Sequence, residues 1–218
     1  MLNMKQGKNY ELRITNYEWG LSQKEKILHS KFFYYSFLAA LYLFFASCNN
    51  DYTPKPRGFF RISFPKKEYG HYAADCSFEF EYPVYAEIIP DDDPKAERCW
   101  FNLEFPTFKG TLHLSYKPLN GNIRKYTEDS RTLAMKHSIK AEAINETPIT
   151  TANRVYGMMY EIEGNAASSV QFFLTDSSKH FLRGALYFNV APQADSLAPV
   201  IDFISKDIQH FIATFRWK

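Results

Sequence analysis

The sequence predicts an α+β fold, an antiparallel β-sheet covered by two helices in an α/β sandwich, and three observations predict it. Short runs rich in aromatic and β-branched residues alternate with period two, as in Ser77-Phe78-Glu79-Phe80-Glu81-Tyr82, where rings take one face and carboxylates the other. Two segments, about 122–137 and 196–214, break that rhythm with apolar residues at three- and four-residue steps. The order of strands, helix, strands, helix suits helices packed on an antiparallel sheet rather than alternating βα units.

Strands are expected at 59–64, 77–82, 84–89, 99–105 and 111–116, then at 139–144, 154–163, 170–175 and 181–190. Leu112, Leu114 and Tyr116 alternate with Thr111, His113 and Ser115, so each such strand is read with one dry face and one wet face. Pro83, Pro90, Pro94, Pro106 and Pro118 fall between or at the ends of the runs, where a missing N–H matters least. The second helix is the clearer: Leu197, Val200, Ile201, Ile204, Ile208, Phe211, Ile212 and Phe215 make its stripe, Asp195 or Ser196 caps it, and Pro199 sits in its first turn. Its stripe should lie on the sheet. The last third, a hairpin followed by a terminal helix, is faintly similar to the PsbP-type fold, a likeness that speaks to architecture alone.

Composition sets the class. A chain of 218 residues, 45% hydrophobic and 23% charged with 9 glycines, has room for one packed core and is neither disordered, collagen-like nor polytopic. A net charge of +2 gives no reason to invoke nucleic acid. The basic excess lies early: six Lys/Arg and three Asp/Glu precede residue 48.

That early segment decides the compartment. Phe32 to Ser47 is uncharged, follows Lys24, Lys26 and Lys31, and stops at Cys48. Sixteen residues fall short of the roughly 20 that span a bilayer core and fit a signal-peptide apolar region. Phe45-Ala46-Ser47-Cys48 resembles the lipobox of bacterial lipoproteins, with Phe45 where Leu is usual, so Cys48 is expected to carry acyl chains after cleavage. Asn9-Tyr10-Glu11 and Asn16-Tyr17-Glu18 form a partial repeat with no helical seam, and residues 1–20 read as sequence upstream of a true start nearer Leu21. The domain layout is a signal peptide to 47, a lipidated tether at 48–58 stiffened by Pro54 and Pro56, and one periplasmic domain at 59–218.

Cys76 and Cys99 remain, 23 positions apart in a compartment that permits oxidation. A disulfide is the natural pairing; two free buried thiols or a reactive thiol are the alternatives, though no CxxC is present. Glu128-Asp129-Ser130-Arg131 through His137 is the densest polar stretch: a helix would align Ser130, Ala134 and His137 and let Arg131 approach Glu128. It reads as a serine beside a general base or, more plainly, as the wet side of an amphipathic helix with a capping carboxylate near its start. No GxSxG elbow accompanies the serine. The six histidines share no HxH or HxxxH spacing, Asp91-Asp92-Asp93-Pro94 lacks the rhythm of a calcium loop, and the glycines form no phosphate loop. No metal or cofactor is expected. Phe59-Phe60 and Phe172-Phe173 put one ring on each face of a strand, so either both faces are covered or some rings are exposed to a partner.

Several blocks then resemble one family. Pro54-Lys55-Pro56-Arg57-Gly58-Phe59-Phe60-Arg61-Ile62 behind the cysteine, Cys76 to Pro83, Cys99 to Pro106, Phe108 to Tyr116 and Glu128 to Ile144 are similar, in order, to the gliding-motility lipoprotein GldD family of Bacteroidetes. The resemblance implies a membrane-anchored, non-catalytic component of surface gliding that works with other gliding lipoproteins and the type IX secretion apparatus. It carries over no catalytic residues. The expected anchor is Cys48, and Phe59, Phe60, Arg61, Glu128, Asp129, Arg131 and His137 are the expected partner surface. The competing expectations are an envelope hydrolase using Ser130, His137 and neighbouring carboxylates, and a small-ligand carrier with an apolar cavity between sheet and helix.

Overall fold

The computed structural model describes residues 31–38, 40, 62–190 and 194–218. Residues 31–38 are helical, and Phe32, Phe33, Tyr34, Tyr35 and Phe37 on them are exposed. Among the described residues no helix is long and apolar enough to cross a membrane. Cys48, the tether, the partial repeat and Phe59, Phe60 and Arg61 lie outside the described residues.

Among the described residues from 62 onward there are ten strands and two α-helices. The strands are β1 (Tyr69–Tyr72), β2 (Phe78–Pro83), β3 (Glu87–Pro90), β4 (Phe101–Phe105), β5 (Gly110–Pro118), β6 (Ala141–Thr150), β7 (Tyr156–Gly164), β8 (Ser168–Thr175), β9 (His180–Phe188) and β10 (Arg216–Trp217). The helices are α1 (Ile123–Met135), prolonged by a 3-10 turn at Lys136–Ile139, and α2 (Ala194–Thr214). Seven strands form an antiparallel sheet in the order β3-β4-β5-β9-β8-β7-β6, and β1-β2-β10 form a second, small one. The architecture is α+β.

Strand alternation sends the two helices to opposite faces of the large sheet. Leu112, Leu182, Leu186, Phe172 and Leu174 face α2 and pack with its Val200, Ile204, Ile208 and Phe211 in the main core. Phe173, Phe181 and Tyr160 face the other way, onto Ala134 of α1. Phe172 and Phe173 are 1% and 9% exposed, so both faces are covered at that dipeptide. Phe78 and Phe80 of β2 close the main core from the small sheet, with Phe80 and Phe211 rings 4.4 Å apart.

Strand β8 is buried at all 8 positions because it is central and roofed on both sides. Three expectations are corrected. No strand forms over the described part of 59–64: Ile62 and Phe64 lie in irregular chain and pack onto the core and Phe203 instead. The third strand begins only at Glu87, since Ala86 N–H closes a turn onto Pro83 O. Helix α2 starts at Ala194, so Asp195 and Ser196 lie within it and Pro199 is past its first turn. Pro148 sits inside β6, tolerable because β6 is the sheet edge.

Candidate functional site

Helix α1 lies over β8 and β9 and leaves open the neighbouring face of β5, producing a cavity of about 450 Å³ between helix and sheet. Its apolar walls are Trp100, Tyr126, Leu133, Phe181 and Ala185. Arg183, His113, Ser115, Lys117 and Ser130 also line it, with Asp91 and Asp129. The strand register explains the set: Arg183 stands opposite Ser115, and Ala185 opposite His113, so all four point toward the α1 side.

Arg183 is the unusual member. Its Nη2 donates to Gln171 Oε1 at 2.6 Å, and burial pulls its guanidinium below the ordinary arginine range, opposed by the nearby Tyr187. No carboxylate pairs with it among the described residues. Gln171 is 1% exposed, and its Nε2 is buried without a partner. Lys117 reaches out to Glu97 and lies over the Trp100 ring at 4.8 Å. His113 Nδ1 meets Asn102 Oδ1 at 2.7 Å.

The segment singled out by its polarity lands on α1 and the turn after it. Glu128, Asp129 and Arg131 are exposed, whereas Ser130, 4% exposed, and Ala134 face the sheet. Arg131 pairs with Glu146 of β6 at 3.1 Å rather than with Glu128, because Glu146 lies on the strand face below the helix. No capping carboxylate is found: Asn122 is the N-cap residue, and its Oδ1 accepts from Asn120 N–H at 2.9 Å. His137 sits in the 3-10 turn with its ring 6.5 Å from that of Tyr187, and burial and Arg183 lower its pKa. No hydrogen bond joins Ser130 to His137 among the described residues. Nor is there a cluster of three or more metal-ligating side chains among them.

On the other face, Asp207 of α2 is 2% exposed and gathers three donors. Lys67 Nζ at 2.6 Å and Tyr69 OH at 2.9 Å reach its Oδ1, and Tyr85 OH donates to Oδ2. Lys67 also caps the Phe203 ring at 3.7 Å, and Phe64 stacks on that ring at 4.4 Å. The chain entering from the tether is thus strapped to α2. Of the expected partner surface, Glu128, Asp129, Arg131 and His137 lie on α1 and the turn after it, on the face opposite α2, and Phe59, Phe60 and Arg61 lie outside the described residues. Cys76 and Cys99 are joined by a disulfide with Cα atoms 5.9 Å apart, linking the approach to β2 with the approach to β4.

Sequence reasoning did not single out Arg183, Gln171 or Asp207. The signal was present: Arg183 interrupts the apolar run Phe181-Leu182-Arg183-Gly184-Ala185, and Asp207 falls among the apolar stripe of Ile204, Ile208 and Phe211.

An antiparallel sheet with one helix on each face, a helix-roofed cavity and an entering strap clasped to the C-terminal helix defines an α+β sandwich domain. The chain belongs to the gliding motility lipoprotein GldD family, whose model matches residues 49–217. Among solved structures it is similar to cyanobacterial PsbP (CyanoP) from Synechocystis sp. PCC 6803, at 11% identity and a TM-score of 0.43 over 73% of this chain and 98% of that one. No curated protein matches the chain.

Proposed function

We propose that the protein is a non-catalytic component of the gliding machinery, anchored by acyl chains on Cys48 with its domain in the periplasm, where it acts with other gliding lipoproteins and type IX secretion components. The observation that carries this reading is the family match over residues 49–217, which takes in the whole strapped domain and begins directly after Cys48. Each buried CH₂ of an acyl chain contributes about 0.8 kcal/mol, so several chains on one cysteine hold the domain firmly without a spanning helix. The strap supports a role under tension: a pull on the tether meets Ile62 on the core, then Phe64 on Phe203 and the clasp of Lys67 and Tyr69 on Asp207.

The partner surface is the outer side of α1 and its following turn. Glu128 and Asp129 supply charge there, and Ile139, 90% exposed, supplies apolar contact. Cross-linking and co-purification of tagged full-length protein from its native envelope tests the reading. Gliding or type IX components should be recovered with the parent protein, lost with Cys48→Ala, and depleted with Ile139→Glu, an exposed site whose change leaves the fold intact. Equal recovery with all three proteins, or recovery of none of these components, would overturn it.

A further inference from the structure

We propose that the cavity beneath α1 binds a small organic anion, one carboxylate or phosphate group on an aromatic or aliphatic body, with Arg183 receiving the charge. The inference does not rest on the motility reading. A guanidinium presents five N–H donors in a planar fork suited to two oxygens of one anion. Arg183 gives one of them to Gln171 and also hydrogen-bonds Tyr187, which leaves donors over, and it has no carboxylate partner among the described residues, although Asp91 and Asp129 line the same cavity. Holding a half-buried cation without a counter-charge is unfavourable, and leaving Gln171 Nε2 buried and unpaired adds to the cost. An apolar pair at these positions would be more stable, so the arrangement makes sense when an anion completes it. Gln171 then acts as a positioning residue that aims the fork.

The remaining walls define the rest of the ligand. A volume of about 450 Å³ falls within the range of small-molecule sites. Trp100, Tyr126, Leu133 and Phe181 offer apolar and ring surfaces to its body, and the buried Ser130 hydroxyl offers a hydrogen bond. Asp91 and Asp129 disfavour a second anionic group elsewhere on the ligand, so it carries one.

The test uses the full-length protein in lipid nanodiscs with three probes: 4-phenylbutyrate, phenyl phosphate and the uncharged 4-phenylbutanol. Binding is read by equilibrium dialysis against empty nanodiscs and by tryptophan fluorescence. At least one anion should bind saturably and about ten-fold or more tighter than the alcohol. Preference for the butyrate assigns a carboxylate, and preference for the phosphate a phosphoryl group. Arg183→Gln should remove the discrimination while leaving the alcohol's affinity unchanged, Arg183→Lys should restore part of it, and Arg183→Met should unfold no earlier than the parent when empty. Leu133→Glu, at an exposed position on the cavity wall, removes apolar surface and adds a negative charge, so it should weaken the alcohol and should weaken the anions more. Equal affinity for anion and alcohol, unchanged anion binding in Arg183→Gln, or no saturable binding of either anion would overturn the proposal.

Discussion

Asp207 is the side chain on which the described domain's entry depends most. It is a carboxylate on a helix stripe otherwise given to Ile204, Ile208 and Phe211, and its burial is offset by Lys67 and two tyrosine hydroxyls. Asp207→Ala leaves Lys67 beside apolar surface without its counter-charge, and a loss of about 3 kcal/mol is expected in urea unfolding. The same clasp sets an alkaline limb. Burial and then the hydrogen bond to Asp207 push the Tyr69 hydroxyl up to about 12, and Tyr85 is raised for the same reasons. Between pH 10 and about 12 the unfolded chain ionises Tyr69 while the folded chain keeps the proton, so the folded state binds more protons and stability falls as pH rises. Tyr69→Phe should flatten part of that fall in thermal unfolding followed from pH 9 to 12. At this scale the sequence was legible where type and position agree, as with the apolar stripe of α2. Asp207 and Arg183 went unread because a charge on a buried face has no meaning until its partners, or their absence, are known.

Among the elements, β8 and β9 form the packed centre, and they meet most closely at Gly184. A Cβ there would lie 2.3 Å from the Phe172 Cζ, on a ring enclosed by Phe211 and the main core. Gly184→Ala should therefore cost about 2–3 kcal/mol through overpacking, measurable as a lowered urea midpoint with an unchanged slope. The Cys76–Cys99 link joins the approaches to two strands in different sheets, and Cys76→Ser with Cys99→Ser should cost about 2–4 kcal/mol, with reductant lowering the melting temperature of the parent protein alone. Most strands and both helices were legible because their apolar residues keep a period over five or more positions. Strands β1 and β10 were not: Tyr69-Gly70-His71-Tyr72 contains a glycine and Arg216–Trp217 is two residues long, and both exist because β2 pairs with them. Phe172-Phe173 left two outcomes open, and helices on both faces of β8 decided between them.

At the scale of the molecule, one sheet keeps two helices apart, and the two carry different tasks. Helix α2 takes the strap that leads in from the tether, and α1 roofs the cavity and presents Glu128, Asp129 and Ile139 outward. The α+β class and the family were legible from motif order along the chain. The cavity was not, because it arises where α1, aligned over β8 and β9, stops short of β5, a distance fixed by packing rather than by any local pattern. The central claim is that this domain serves surface movement only when tethered through Cys48. The most direct measurement follows the movement of native-host cells over a surface after deletion of the gene and its replacement by the parent or the Cys48→Ala form, with protein levels matched by immunoblot. Movement should cease on deletion, return with the parent and stay absent with Cys48→Ala. Unimpaired movement of the deletion strain, or full rescue by Cys48→Ala, would contradict it.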